Sequence, residues 1–318
     1  MIATGGTIAG KLGPSGEVTP SLTARELLSR VPAIDNYALL SSEDFLQVSS
    51  RNIGFREMMA LARRVEQVLS DRDVGGVVIT HGTATLEHTA YFLDIVLGHD
   101  RPVVLTGAMR NPTLPSDDGP LNLLDAIQVA ACDRSRGLGV LVVMHGFVYS
   151  ARDVTKCHST NIGAFQSPEF GPLGAVDGDH VFYARRPFLR YPAVTPKEIT
   201  ARVERIPNVL AAADLPTALE KGIDGVVVEG VALVQRHPEL FTGAVAQGVV
   251  IVVANPFLMG RLPRRMTSRG QGGESNLIDG GIVWAETSAV RAWIKLSIAM
   301  SAGLSKTQIR ELFHSERQ

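Results

Sequence analysis

Residues 1–10, MIATGGTIAG, and residues 75–89, GGVVITHGTATLEHT, share one pattern: an apolar run that breaks at its polar end into glycines and threonine hydroxyls. An apolar run bounded in this way reads as a buried parallel strand, and open α/β sheets place their ligands at the C-terminal tips of such strands. Glycines at a tip let the backbone turn sharply and leave N–H groups aimed at a ligand. The threonines supply the reactive groups. Both stretches therefore point to a functional site at strand ends.

Strand and helix signals alternate along the chain. Residues 11–20, rich in Gly, Pro and Ser, read as a loop over the tips. Ser21 or Thr23 caps a helix running to Leu28. Then come strand Phe45–Ser49 ending at Ser50-Arg51, helix Glu57–Leu69, strand Val77–Thr80, helix Glu87–Leu97, strand Val103–Thr106, helix Leu121–Ala131 and strand Gly139–Met144. This order predicts a parallel sheet with right-handed crossovers. The pattern weakens over residues 146–173, and the Pro/Arg-rich stretch 185–196 reads as a linker. Beyond it are helix Leu215–Lys221, strand Gly225–Glu229, helix Pro238–Ala246, strand Val249–Ala254 and a final helix Val290–Ala302. The expected architecture is two α/β domains. A larger N-terminal domain, residues 1–185, has a parallel-type sheet with helices on both faces; a linker, 186–199, leads to a smaller C-terminal α/β domain, 200–318.

Composition narrows the function. The chain has 318 residues, 45% hydrophobic and 20% charged, with a formal net charge of −1, which argues against a nucleic-acid partner. The two cysteines, Cys132 and Cys157, form no disulfide framework and have no metal-ligand spacing, so no metal and no cofactor is expected. No apolar run reaches the roughly 20 residues of a membrane span. A secretion signal is absent from the chain as given, so a cytoplasmic location is expected. The first strand has about three residues before its glycines, against a usual five or six; a clipped start that hides a leader stays open.

Taken alone, the Thr-Gly-Gly-Thr turn is a structural turn, a phosphate cradle or a nucleophile site. The spacing matches neither a dinucleotide fingerprint nor a Walker loop. A threonine nucleophile needs a neighbour to take its proton and donors for the developing oxyanion. Thr83, on another tip, and Lys156, in the Ala-Arg-Asp-Val-Thr-Lys loop, could form a hydroxyl–amine relay; a lone lysine is otherwise a solvated surface group.

The run Ala3–Gly10 together with Val78–Thr89, Pro102–Arg110 (PVVLTGAMR), Ser116–Leu123 (SDDGPLNL) and Arg152–Lys156 (RDVTK) resembles the bacterial-type L-asparaginase/glutaminase family. Phe170–Leu173 (FGPL) and Ala213–Pro216 (ADLP) continue the match in order. The resemblance implies hydrolysis of a side-chain amide to a carboxylate and ammonia through a covalent acyl-enzyme. It also implies a homodimer or homotetramer whose sites are completed by a neighbouring subunit. Carried over by position, Thr7 matches the nucleophile, Thr83 the second essential threonine and Lys156 its lysine. Ser50 matches the serine that binds the substrate carboxylate, Gly82 in the second motif is expected to bind the substrate too, and Glu274 falls near the acid that reaches a neighbour's site.

Departures carry as much information. The second motif normally reads Thr-Asp, and here it reads Thr83-Ala84, which removes the acid that anchors the substrate ammonium. Arg51 replaces a glutamine beside the serine. Val18 or Thr19 lies where a lid tyrosine is expected, and Leu233 or Val234 where an asparagine is expected. A buried ammonium without its carboxylate costs several kcal/mol, so discrimination against free asparagine of about 100-fold or more is expected. Three readings follow: an amidohydrolase acting on a substrate other than free asparagine, an ordinary asparaginase or glutaminase with a compensating acid, or a non-catalytic binding protein on the same fold. His81 is expected to pack at the strand tip, and Arg110, Asp117 and Asp118 to fix the loop after the third motif.

Overall fold

The computed structural model describes residues 1–13, 16–31, 34–187, 193–208, 222–262 and 281–314, and the chain divides into two compact units, Met1–Ala193 and Val194–Gln318. In the first unit the strands are β1 (Ile2–Gly5), β2 (Gly10–Leu12), β3 (Val18–Pro20), β4 (Glu43–Val48), β5 (Val77–Thr80), β6 (Val103–Thr106), β7 (Val140–Met144), β8 (Phe147–Ser150), β9 (Thr155–Lys156), β10 (Phe165–Gln166), β11 (Gly174–Asp177) and β12 (His180–Tyr183). Its helices are α1 (Ala24–Ser29), α2 (Phe55–Leu69), α3 (Leu86–Val96) and α4 (Gly119–Ala131). Thr23 caps α1: its hydroxyl accepts from Glu26 N, and the Glu26 carboxylate accepts from Thr23 N at 2.7 Å.

Eight strands form the main sheet in the order β12-β11-β8-β7-β6-β5-β1-β4. The five from β7 to β4 run parallel; β8, β11 and β12 extend the sheet antiparallel. From β1 the chain goes first to β4 on one side, then back across to β5 and onward to β7. The switch point is thus the crevice between β1 and β5, where doubly wound sheets bind their ligands.

Val78, Val104, Leu141 and Val143 pack with Leu27 of α1 and with Leu123 and Ile127 of α4 in one core. The alternate residues Val77, Ile79, Leu105 and Val142 are also buried, on the face that α2 and α3 cover. Phe55 and Phe92 join these two helices, their rings 5.9 Å apart. The crossovers through α1, α2 and α3 therefore share one hand, while α4 carries the chain onward on the opposite face and has the other. Taking the common hand as the right-handed one that ~98% of such connections adopt, the β6–α4–β7 crossover is left-handed. This corrects the expectation of uniformly right-handed connections. Residues 107–118 carry the chain into α4, and Asp118 ties them down by accepting from Met109 N (3.1 Å) and Arg110 N (2.8 Å).

Residues 11–20 also differ from the expected loop. β2 and β3 form an antiparallel hairpin, with Lys11 opposite Thr19 and Leu12 opposite Val18. Its turn closes through Gly13 N to Glu17 O at 2.8 Å, and Gly16 supplies a φ of +87° that other residues rarely adopt.

The second unit has a parallel sheet of β13 (Val203–Ile206), β14 (Gly225–Glu229), β15 (Val250–Asn255) and β16 (Val283–Ser288), in that order. Its described helices are α5 (Ala232–Arg236), α6 (Pro238–Ala246), α7 (Ala289–Ser301) and α8 (Lys306–His314). α7 is not the last helix. Gly303, at φ +75°, ends it, and Ser305 and Gln308 cap α8 by exchanging side-chain to backbone hydrogen bonds. The helix expected at Leu215–Lys221 lies outside the described residues. None of the described helices is long and apolar enough to cross a membrane.

Candidate active site

Gly5 and Gly6 leave β1 with φ of +94° and +81°, left-handed values that a side chain would strain. Thr7 then opens a 3-10 turn, half-buried. A Cβ built on Gly6 would stand 2.2 Å from Gly82 Cα, and one built on Gly82 would stand 2.7 Å from Ser50 Oγ. The tips after β1 and β5 therefore touch backbone to backbone, and the Ser50 side chain after β4 lies against Gly82. Thr7 and Thr83 each follow one of the contacting glycines.

Thr83 is 6% exposed and Ser50 3%. Lys156 Nζ donates to Thr83 Oγ1 at 2.9 Å, across 73 residues of sequence. Lys156 sits in a two-strand hairpin, paired with the buried Phe165, and Cys157 N donates to Ala164 O at 2.7 Å to close it. Burial pushes the Lys156 amine below its ordinary pKa; the Glu87 carboxylate opposes this shift, and the Arg51 guanidinium adds to it. Glu87, in the first turn of α3, was not singled out from the sequence, although it lies four residues after Thr83 in the same motif.

Ser50 and Arg51 lie in one short turn, Ser50–Asn52, and Thr85 Oγ1 donates to Ser50 O at 2.7 Å. Arg51 and Ala84 are exposed. Val18 is exposed on β3 beside Thr19. Glu274 lies outside the described residues. Leu233 and Val234 are both buried in the apolar core of the second unit. A leucine one residue into α5 falls on that helix's apolar face.

Several neighbouring polar groups serve the frame. His81 is fully buried; its Nδ1 donates to Gly82 O at 2.9 Å, and burial lowers its pKa to about 4, so it is neutral. Asp117 pairs with Arg30 at 2.8 Å. Among the described residues no group of three or more His, Cys, Asp and Glu could hold a metal ion.

Fold and site together define an α/β enzyme with its polar groups gathered at a switch point. The family description "Asparaginase, N-terminal" matches residues 1–189. L-asparaginase 2 of Escherichia coli is 32% identical, the alignment covering 99% of this chain and 92% of that one. A "Probable L-asparaginase" of Deinococcus radiodurans is 35% identical over 98% of this chain and 96% of its own length. The crystal structure of a "Probable Cytoplasmic L-asparaginase" from Campylobacter jejuni superposes with a TM-score of 0.83, at 29% identity, covering 98% of this chain and 97% of that one. The chain belongs to the asparaginase family of amidohydrolases.

Proposed function

We propose that the protein hydrolyses a carboxamide through a threonine ester and that its substrate is not free asparagine. The observation that carries this reading is the 2.9 Å hydrogen bond between Lys156 Nζ and Thr83 Oγ1, beside the touching Gly6 and Gly82 tips. Thr7 Oγ attacks the amide carbonyl, ammonia leaves, and water releases the acid. Lys156, when neutral, takes a proton through Thr83 from the attacking hydroxyl or from that water. Backbone N–H groups at the glycine turns would receive the developing oxyanion. Ser50 and Arg51 hold the substrate's carboxylate.

Ala84 motivates the specificity. A methyl group replaces the acid that would pair an α-ammonium, so binding free asparagine leaves that charge without a partner. The enzyme works as a homodimer or homotetramer in which a neighbouring copy completes each site, and Glu274 is the residue that would reach across. Ammonia release from a panel of amides tests the chemistry: turnover of at least one, abolished by Thr7→Ala, is expected. No turnover of any of them, or equal turnover by Thr7→Ala, overturns it.

One observation favours a second reading, that of an ordinary asparaginase. Glu87 acts electrostatically on Lys156 and is an acid in the same motif as Ala84. In that case asparagine is turned over with a millimolar or better KM, and Glu87→Gln removes the activity while Ala84→Asp changes little.

A further inference from the structure

The charges gathered at the strand tips say more about the ligand than the missing acid alone. Ser50 and Arg51 are consecutive in a turn held to the start of α3 by Thr85. Ser50 keeps its hydroxyl against Gly82, one residue from Thr83. Arg51 extends into solvent beside it and lies close enough for its charge to act on Lys156. Glu87, in the first turn of α3, is the acid that acts on Lys156 and on its neighbour Cys157. Ala84, between Thr83 and Thr85, adds no charge.

An α-amino acid amide would bring both an ammonium and a carboxylate to this place. The carboxylate gains a hydroxyl and a planar guanidinium fork, which matches carboxylate geometry with two parallel N–H bonds where a glutamine offers one neutral amide. The ammonium finds the Ala84 methyl where the resemblance implies an acid. Both changes push the same way: they strengthen the hold on the acid and abandon the amine.

We propose that the site takes the monoamide of a dicarboxylic acid carrying no amine beside its free carboxylate, with Arg51 and Ser50 as the carboxylate clamp. The proposal rests on the amidohydrolase reading above and narrows it. The simplest such substrate is succinamate: water adds across its C–N bond, succinate and ammonia form, and the ammonia takes up a proton near neutral pH. No oxidant, reductant or further reactant is needed.

Calorimetric titration separates recognition from turnover. The full chain with Thr7→Ala, checked against the native chain for its urea midpoint, is titrated with succinamate and with asparagine. Succinamate is expected to bind at least tenfold more tightly, and Arg51→Gln in that background to weaken it at least tenfold, about 1.4 kcal/mol. With the native chain, kcat/KM for succinamate should exceed that for asparagine by a similar factor, and Arg51→Gln should act mainly through KM. Equal binding, tighter asparagine binding or no binding of either overturns the proposal. So does succinamate affinity that survives Arg51→Gln together with asparagine affinity that falls with Glu87→Gln, because Glu87 would then be reading an amine. If the affinity order holds but the native chain releases ammonia from no amide, the amidohydrolase reading fails and the carboxylate clamp stands.

Discussion

At the end of β15, in the second unit, Asn255 turns its side chain back on its own loop. Its Nδ2 donates to Met259 O (3.3 Å) and Gly260 O (2.7 Å), and its Oδ1 accepts from Phe257 N at 3.0 Å. Ser288, at the end of β16, caps α7 by accepting from Arg291 N. At the end of β5, in the first unit, Thr83 instead meets an amine from a hairpin 73 residues away. Both units have parallel strands with polar residues at their tips. A side chain bonded to its own backbone is committed to structure, because moving it leaves buried groups unpaired. A hydroxyl bonded to a titratable amine can pass its proton along that bond. Where a tip residue's hydrogen bonds go therefore separates frame from chemistry better than residue type does.

The strongest test of this contrast is removal of the chemical groups. Thr7→Ala and Lys156→Met should each lower kcat for ammonia release roughly 10³-fold or more, with the urea midpoint little changed. Losses of only a few-fold would place these residues with the frame. Restoring the acid with Ala84→Asp should raise kcat/KM for asparagine by about 100-fold, on the scale of 1.4 kcal/mol per tenfold.

His81 tests the frame within the first unit. Its pKa falls from 6.5 to about 4 on folding, so the unfolded chain takes up a proton over that interval while the folded chain does not. Stability should therefore drop as pH falls from 6.5 towards 4, by roughly 3 kcal/mol in all, and His81→Gln should flatten that part of the urea-midpoint profile. Asn255→Ala should cost about 1–3 kcal/mol in the second unit, read by denaturation, and leave the pH profile of ammonia release unmoved.

The finest test is the position of that pH profile. Activity that needs neutral Lys156 rises as pH passes its pKa, and burial places this rise below the range of an ordinary lysine. Arg51→Gln removes a like charge, so the amine holds its proton more tightly and the rise should move to higher pH. Glu87→Gln removes an opposite charge and should move the rise to lower pH. Shifts in the opposite directions would mean that a different group titrates.

Much of the first unit was legible because apolar runs and their punctuation are local. β5 and β6 fall on the predicted residues, and so do β14 and α6 in the second unit. The misses have local causes too. The β2–β3 hairpin escapes a sequence pattern because its strands are only three residues each. The turn of the β11–β12 hairpin, Asp177-Gly178-Asp179, carried a readable signal in its Asp-Gly pair. α8 announced itself by the Ser305-x-x-Gln308 cap.

Sequence patterns alone settled the α/β class, the alternation of strand and helix, and the residue types at the tips, because periodicity and turn chemistry act over a few residues. The hand of the crossover through α4, the burial of Leu233, and the meeting of Lys156 with Thr83 came only from the folded chain. Each depends on which distant segments lie side by side. Strand-tip order and burial set that, and a linear pattern carries neither.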